Sequence, residues 1–154
     1  MTKNDDERFM RLAIEQARIA GRMGEVPIGA VITDGADKVV SSGYNLREAG
    51  NDPTAHAEII AIKKAGETLG SWRLEGSVIY VTIEPCLMCM GAILLARIKR
   101  LVFGARDPKA GAVFSVYEIG NDRRLNHTVE VTEGVCAEEC SALLKDFFKT
   151  LRKS

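Results

Sequence analysis

Val78-Ile79-Tyr80-Val81-Thr82-Ile83, then Glu84-Pro85, then Cys86 through Ile98, then Arg100-Leu101-Val102-Phe103-Gly104-Ala105: this stretch decides the architecture. Its two outer runs are short and almost continuously apolar, the pattern of strands buried on both faces. The middle run, Cys86 to Ile98, is apolar nearly all round, as expected of a helix enclosed within the protein. A strand, a helix and a second strand in that order imply parallel neighbours joined by a right-handed crossover.

The flanking sequence extends the same scheme. Glu7 to Gly24 has a helical period, with Phe9, Leu12, Ala13, Ala17 and Ala20 on one face and Gly21 and Gly24 as a stop. Val26 to Thr33 and Lys38 to Tyr44 read as strands joined by a turn at Asp34 to Asp37, a hairpin. Asn45 to Pro53 is a polar loop, and Ala55 to Leu69 returns to a helical period. Beyond Ala105, Asp107 to Ala112 reads as a loop, Val113 to Ile119 as a short helix and Thr128 to Thr132 as a strand. Cys136 to Lys153 closes as an amphipathic helix with Cys140, Leu143, Leu144, Phe147, Phe148 and Leu151 on one stripe. Helices alternating with strands predict an α/β layered domain on a sheet of about five strands.

The 154 residues suit one domain, residues 1–154. Apolar residues make up 46% of the chain and charged residues 27%, which excludes a disordered or low-complexity polymer. No apolar run approaches the roughly 20 residues that span a bilayer, and the polar first segment lacks the centre of a secretory signal. The expectation is a soluble, cytoplasmic protein without a membrane partner. Its four cysteines are then thiols or metal ligands before they are disulfides. The zero net charge conceals an asymmetry. Residues 1–96 carry 10 basic against 13 acidic side chains, and residues 97–154 carry 11 against 8. Lys145, Lys149, Arg152 and Lys153 crowd the end of the chain, either as a polyanion contact or as the solvated face of a last helix.

Two segments carry chemistry. In Glu84-Pro85-Cys86-Leu87-Met88-Cys89, Pro85 suits the start of a helix and the two cysteines, three apart, face one side. A helix N-terminus favours their thiolates, and thiolates at that spacing make a zinc clip. In His56-Ala57-Glu58, at the start of another helix, the imidazole offers a third ligand. Positions two apart in mid-helix point away from each other, so His56 and Glu58 approach one point only if they straddle a helix start. Three protein ligands with one open position are what a catalytic zinc ion needs. Such an ion brings a bound water near neutral pKa, and Glu58 is placed to move the proton as general acid/base.

A closed structural zinc site would recruit a fourth ligand from His127, Cys136 or Cys140. Cys136 and Cys140 have the spacing of buried core thiols, and His127 has no partner at ligand spacing. A closed site also gives Glu58 no use, which favours the open arrangement.

Both segments match the zinc nucleoside and nucleobase deaminase signature. The likeness extends to Glu25-Val26-Pro27-Ile28-Gly29-Ala30-Val31, Asp52-Pro53-Thr54-Ala55-His56-Ala57-Glu58, Val81-Thr82-Ile83-Glu84-Pro85-Cys86, Val102-Phe103-Gly104-Ala105-Arg106-Asp107 and the stretch around Ala142 to Phe148. Over roughly residues 7–151 the chain resembles the bacterial tRNA-specific adenosine deaminases of the cytidine/deoxycytidylate deaminase superfamily. The resemblance implies a three-layer α/β/α fold with a mixed five-stranded sheet and helices on both faces. It implies conversion of the wobble adenosine (position 34) of an arginine tRNA anticodon stem-loop to inosine, with release of ammonia. By the same token His56, Cys86 and Cys89 hold one Zn²⁺ per subunit, and Glu58 shuttles the proton. Asn45, Ala57 and Asp107 fall at substrate-binding positions, Asn45 at the flipped nucleotide and Asp107 facing the RNA. Loop and turn chemistry are the plainer readings of Asn45 and Asp107. The family forms homodimers, and the segment Cys86 to Ile98 is a candidate interface as well as a candidate core.

Three other functions fit parts of the pattern. A guanine or free-nucleoside deaminase would share the motif but needs a closed pocket, whereas Arg106-Asp107-Pro108-Lys109 and the basic end favour RNA. A non-catalytic, zinc-stabilised RNA-binding module would leave Glu58 without purpose. A cytosine deaminase acting on single-stranded DNA would need stacking aromatics, and aromatics are only 6% of the chain.

Overall fold

The computed structural model describes residues 3–153, without the side chain of Lys153, so that residue's share of the basic end lies outside the described residues. Its elements run α1 (Lys3–Arg22), β1 (Gly29–Thr33), β2 (Val39–Tyr44), α2 (Ala57–Leu69), β3 (Val78–Ile83), α3 (Leu87–Leu95), β4 (Arg100–Ala105), β5 (Glu130–Thr132) and α4 (Ala137–Lys153). The five strands form one sheet in the order β2-β1-β3-β4-β5. β1 pairs antiparallel with β2 and with β3. β3 pairs in parallel with β4, and β4 with β5, so the sheet is mixed and residues 78–105 are the expected parallel unit.

Strand periodicity builds the two cores, because successive side chains leave a strand on opposite faces. Ala30, Ile32, Ile79, Val81, Leu101 and Phe103 point to the face covered by α2 and α3, where Ala57, Ala61, Ala65, Met90 and Ile93 meet them. Val31, Val78, Tyr80 and Val102 point to the other face, against Phe9, Met10, Ala13 and Ile14 of α1 and Cys140 of α4. The result is the three-layer α/β/α arrangement, with α2 packed on β2 and β1 and α4 packed on β4.

Several elements differ from their sequence reading. α1 starts at Lys3, four residues earlier than Glu7. Asp5 and Asp6 occupy its first turn, and Asp6 is buried, making a bidentate ion pair with Arg100 and accepting a hydrogen bond from the Tyr80 hydroxyl. β1 begins only at Gly29, after Pro27. α3 ends at Leu95, three residues short of Ile98, and the chain leaves it through Arg97 at φ 63°. β5 is confined to Glu130–Thr132.

Val113 to Ile119 is not a helix. The amides of Val113, Phe114 and Ser115 donate to the carboxylate of Glu84, and those of Val116, Tyr117 and Ile119 reach back to the carbonyls of Gly111 and Ala112 rather than to the fourth residue before them, so no helical ladder forms. Cys140 is buried in the core beneath α4, as expected, while its stripe-mates Phe148 and Leu151 are exposed. Lys145, Lys149 and Arg152 are exposed along the same helix.

Candidate metal and substrate site

The chemistry-bearing residues stand where α2 and α3 begin, near the C-terminal end of β3. His56 is the N-cap of α2, in extended backbone at φ −78° and ψ 153°, and Cys86 is the N-cap of α3 at φ −77° and ψ 177°. Cys89 lies in the first turn of α3, fully buried. Gly43 of β2 brings the start of α2 to this point. A Cβ there would stand 2.6 Å from the Ala57 carbonyl, so only glycine lets β2 and α2 approach so closely.

The Nδ1 of His56 lies 3.7 Å from the Cys86 sulfur and 3.6 Å from the Cys89 sulfur. All three ligand atoms fall within 4.8 Å of one another, and among the described residues no other group of histidine, cysteine or carboxylate side chains converges in this way. Crowding shows in their protonation. The Cys86 thiol is held down to about 4, first by a hydrogen bond with Cys89 and then by one with His56. The Cys89 thiol is pushed up by its bond to Cys86 and by burial. One imidazole nitrogen and two sulfurs, partly shielded from water at two helix N-termini, fit Zn²⁺, which takes histidine nitrogen and cysteine thiolate in tetrahedral sites.

None of the alternative fourth ligands reaches this cluster. His127 is engaged with the Ile98 carbonyl at 2.8 Å through Nε2, and Cys140 lies in the core on the opposite face of the sheet. Cys136 packs at the edge of that same core.

Glu58 is the second residue of α2 and is 3% exposed. His56 precedes the helix and Glu58 is inside it, the straddling arrangement that the spacing required. Burial pushes the Glu58 carboxyl above the ordinary carboxylate range, against the pull of its backbone hydrogen bond and of the His56 imidazole. A carboxyl raised in this way holds a proton more readily than an exposed one.

A cleft of about 140 Å³ opens over these groups. Its walls include Asn45, Ala57 and Asp107, the three substrate positions expected from the sequence, together with Val26, Arg47 and Glu84. Asn45 is buried; its Nδ2 donates to the Val26 carbonyl and its Oδ1 accepts from the Arg47 amide. Asp107 Oδ1 accepts from the amides of Lys109 and Ala110, a turn built on its own side chain. The loop and turn roles of both residues are therefore present in the fold, and both still face the cleft. Arg47 and Glu84 escaped the sequence reading, although Arg47 lies in the same polar loop as Asn45 and Glu84 lies in the quoted motif. A larger groove of about 770 Å³, at the far end of the sheet by Lys99 and His127, holds none of these residues.

Comparison with known proteins points the same way. The model of the cytidine and deoxycytidylate deaminase zinc-binding region matches residues 3–105. The chain is 51% identical over 148 residues to the tRNA-specific adenosine deaminase of Haemophilus influenzae, covering 96% of this chain and 86% of that one. It is 46% identical over 148 residues to the enzyme of the same name from Bacillus subtilis, with 96% and 91% covered. Among solved structures, one from a study of A-to-I editing by tRNA:A34 deaminases at the wobble position superposes with a TM-score of 0.85. It is 45% identical, over 89% of this chain and 99% of that one. A guanine deaminase from Nitrosomonas europaea shares the fold at a TM-score of 0.78 and 24% identity, over 92% of this chain and 83% of that one.

Proposed function

The chain belongs to the cytidine and deoxycytidylate deaminase zinc-binding family and is a zinc-dependent deaminase, and from that premise we propose that its substrate is adenosine in tRNA. The reaction replaces the exocyclic amine of the wobble adenosine of arginine tRNA by oxygen, consuming water and releasing ammonia to leave inosine. The observation that carries this reading is the convergence of His56, Cys86 and Cys89 beside a buried, unliganded Glu58 at the floor of one cleft.

In this reading His56, Cys86 and Cys89 hold the zinc ion. When bound, zinc supplies a Lewis acid that makes water acidic enough to attack at neutral pH. Glu58 takes a proton from the attacking water and delivers it to the ring nitrogen beside the reacting carbon, then takes the remaining hydroxyl proton as the carbonyl forms and delivers it to the amine, which leaves as ammonia. Its burial excludes bulk water that would compete for those protons. Ala57, as first residue of α2, offers an amide that no helical carbonyl claims. Asn45 keeps one amide hydrogen and one lone pair for the flipped base after its two loop bonds are made. Asp107 Oδ2 is left to accept from a ribose 2′-OH, a group that distinguishes RNA from DNA.

The exposed Arg47 at the cleft and Lys145, Lys149 and Arg152 along α4 supply the positive surface that an anticodon stem-loop needs. The enzyme works as a homodimer in the cytoplasm. Its pairing surface is the outer side of α3, where Leu87 is 52% and Leu95 70% exposed. No described helix is long and apolar enough to cross a membrane.

The test is incubation of the zinc-loaded protein with arginine tRNA carrying adenosine at position 34, followed by nucleoside analysis. Inosine at that position supports the proposal. Turnover of free guanine with the tRNA untouched would transfer the protein to the free-base deaminases, and tRNA binding without any turnover would make it a binding module.

A further inference from the structure

Glu84 is a buried carboxylate that the chemistry does not use. It is 2% exposed, at the junction between the last residue of β3 and Pro85-Cys86. Five donors converge on it from one loop. Oε1 accepts from the amide of Asp107 at 3.0 Å and from the Ser115 hydroxyl. Oε2 accepts from the amides of Val113 at 3.0 Å, Phe114 at 2.8 Å and Ser115 at 3.0 Å. A carboxylate has about four lone-pair directions, so these donors saturate it and leave nothing for a substrate hydrogen bond. Burial works against its charge, but the amides of Phe114 and Ser115 and the Ser115 hydroxyl outweigh burial and hold the carboxyl below its ordinary range.

The gathered segment, residues 107–115, has no helix or strand to hold its shape. It begins with Asp107 and Ala110, which form one wall of the cleft, and its Ala112 amide binds the Pro85 carbonyl at 2.8 Å. Gly111 presses directly on the carboxylate; a Cβ there would come within 2.3 Å of Glu84. The opposite wall is held in the same way. Glu25, fully buried, accepts from the amides of Glu48 and Ala49, just beyond Asn45 and Arg47.

We propose that Glu84 is a positioning residue whose carboxylate folds the 107–115 loop into the cleft wall and so sets the fit of the nucleic-acid substrate. It acts through Asp107 and its neighbours, while proton transfer at Glu58 is independent of it. The inference rests on the reading of this cleft as the site for adenosine in RNA. Replacing Glu84 by Gln keeps the size but turns an amide NH₂ toward N–H donors, which releases part of the loop.

The experiment uses the zinc-loaded wild type, Glu84→Gln, Glu84→Asp, Ser115→Ala and Gly111→Ala on an anticodon stem-loop with adenosine at the wobble position. Zinc content and amide hydrogen exchange are followed in parallel. In Glu84→Gln, KM is expected to rise about tenfold with kcat within about threefold, the signature of lost binding rather than lost chemistry. Exchange should rise at Asp107, Val113, Phe114 and Ser115 and stay slow in β3, with one zinc retained. Glu84→Asp should recover part of the KM. Ser115→Ala and Gly111→Ala, which leave the acid in place, should shift KM in the same direction, and they carry the test if Glu84→Gln does not fold. Unchanged KM in all variants, or loss of zinc or of kcat with KM constant, overturns the proposal. A wild type that leaves the stem-loop untouched overturns the functional reading instead, and the exchange data then still decide whether Glu84 holds the loop.

Discussion

His56 and Glu58 stand on opposite sides of one helix boundary: the imidazole belongs to the extended N-cap of α2 and the carboxyl to its first turn. Two residues apart within a helix they would diverge by about 200°, but across the boundary both reach the sulfurs of α3. This single change of backbone conformation sets an imidazole that could hold a metal and a buried acid side by side. A second N-cap at Cys86 brings both sulfurs to the same place.

The sulfurs should be indispensable to the metal. Cys86→Ser or Cys89→Ser replaces a soft ligand by a hard one, and zinc affinity should fall by at least about a hundredfold, a ligand being worth no less than the outer-shell partners of a metal. Zinc titration with a competing chelator measures this, and activity should fall in step with occupancy.

The face of the sheet away from the site should govern stability without touching the metal. Asp6 pairs with Arg100 through both carboxylate oxygens, with side-chain exposures of 7% and 18%, and Arg100 also donates to Thr132. Asp6→Ala leaves the guanidinium partly buried without its carboxylate, a change expected to cost about 3 kcal/mol. Denaturant unfolding should report that loss, while zinc content stays at the wild-type level.

Alkaline pH should loosen the same layer. Burial pushes the Cys140 thiol up to about 12 and also raises the Tyr80 phenol, Asp6 adding to the latter. Both folded values exceed those of the unfolded chain, so the stabilisation is complete below about pH 8.5 and is lost as pH rises toward the folded values. Each group should contribute a slope of about 1.4 kcal/mol per pH unit within its window. Unfolding curves at pH 8 and pH 10.5 measure the slope, and Cys140→Ala should flatten it.

The outer side of α3 should join two subunits. Leu95, 70% exposed at the last residue of the helix, is replaced by Glu to place a charge on that surface. Sedimentation should show a dimer for the wild type and a monomer for Leu95→Glu, each retaining zinc. A wild type that remains a monomer at high concentration would contradict the pairing.

The elements legible from sequence were those whose neighbours matter least to their local conformation. β3 and β4 are continuous apolar runs buried on both faces, and their observed limits, Val78–Ile83 and Arg100–Ala105, are the ones the pattern indicates. The cluster of His56, Cys86 and Cys89 was legible because those residue types at those spacings are brought together by two helix starts, and the alternation of strands and helices sufficed for the layered sheet. What escaped depends on distant partners. Lys3 to Asp6 looks too polar to be an ordered helix start, yet Asp6 is drawn inward by Arg100, 94 residues away. Val113 to Ile119 reads locally as a short helix, but Glu84, about 30 residues upstream, gathers the first three amides and the next ones turn back to Gly111 and Ala112, so the segment closes as a loop around the carboxylate. No local pattern in either segment records those partners, which is also why Glu84 carried no visible role.

Glu58→Gln tests the central claim most directly, because it keeps the shape of the side chain and removes its capacity to carry a proton. The account predicts one bound zinc per subunit, wild-type folding and binding of arginine tRNA, and a fall in inosine formation of about a thousandfold. A variant that loses its zinc, or one that forms inosine at the wild-type rate, would contradict it.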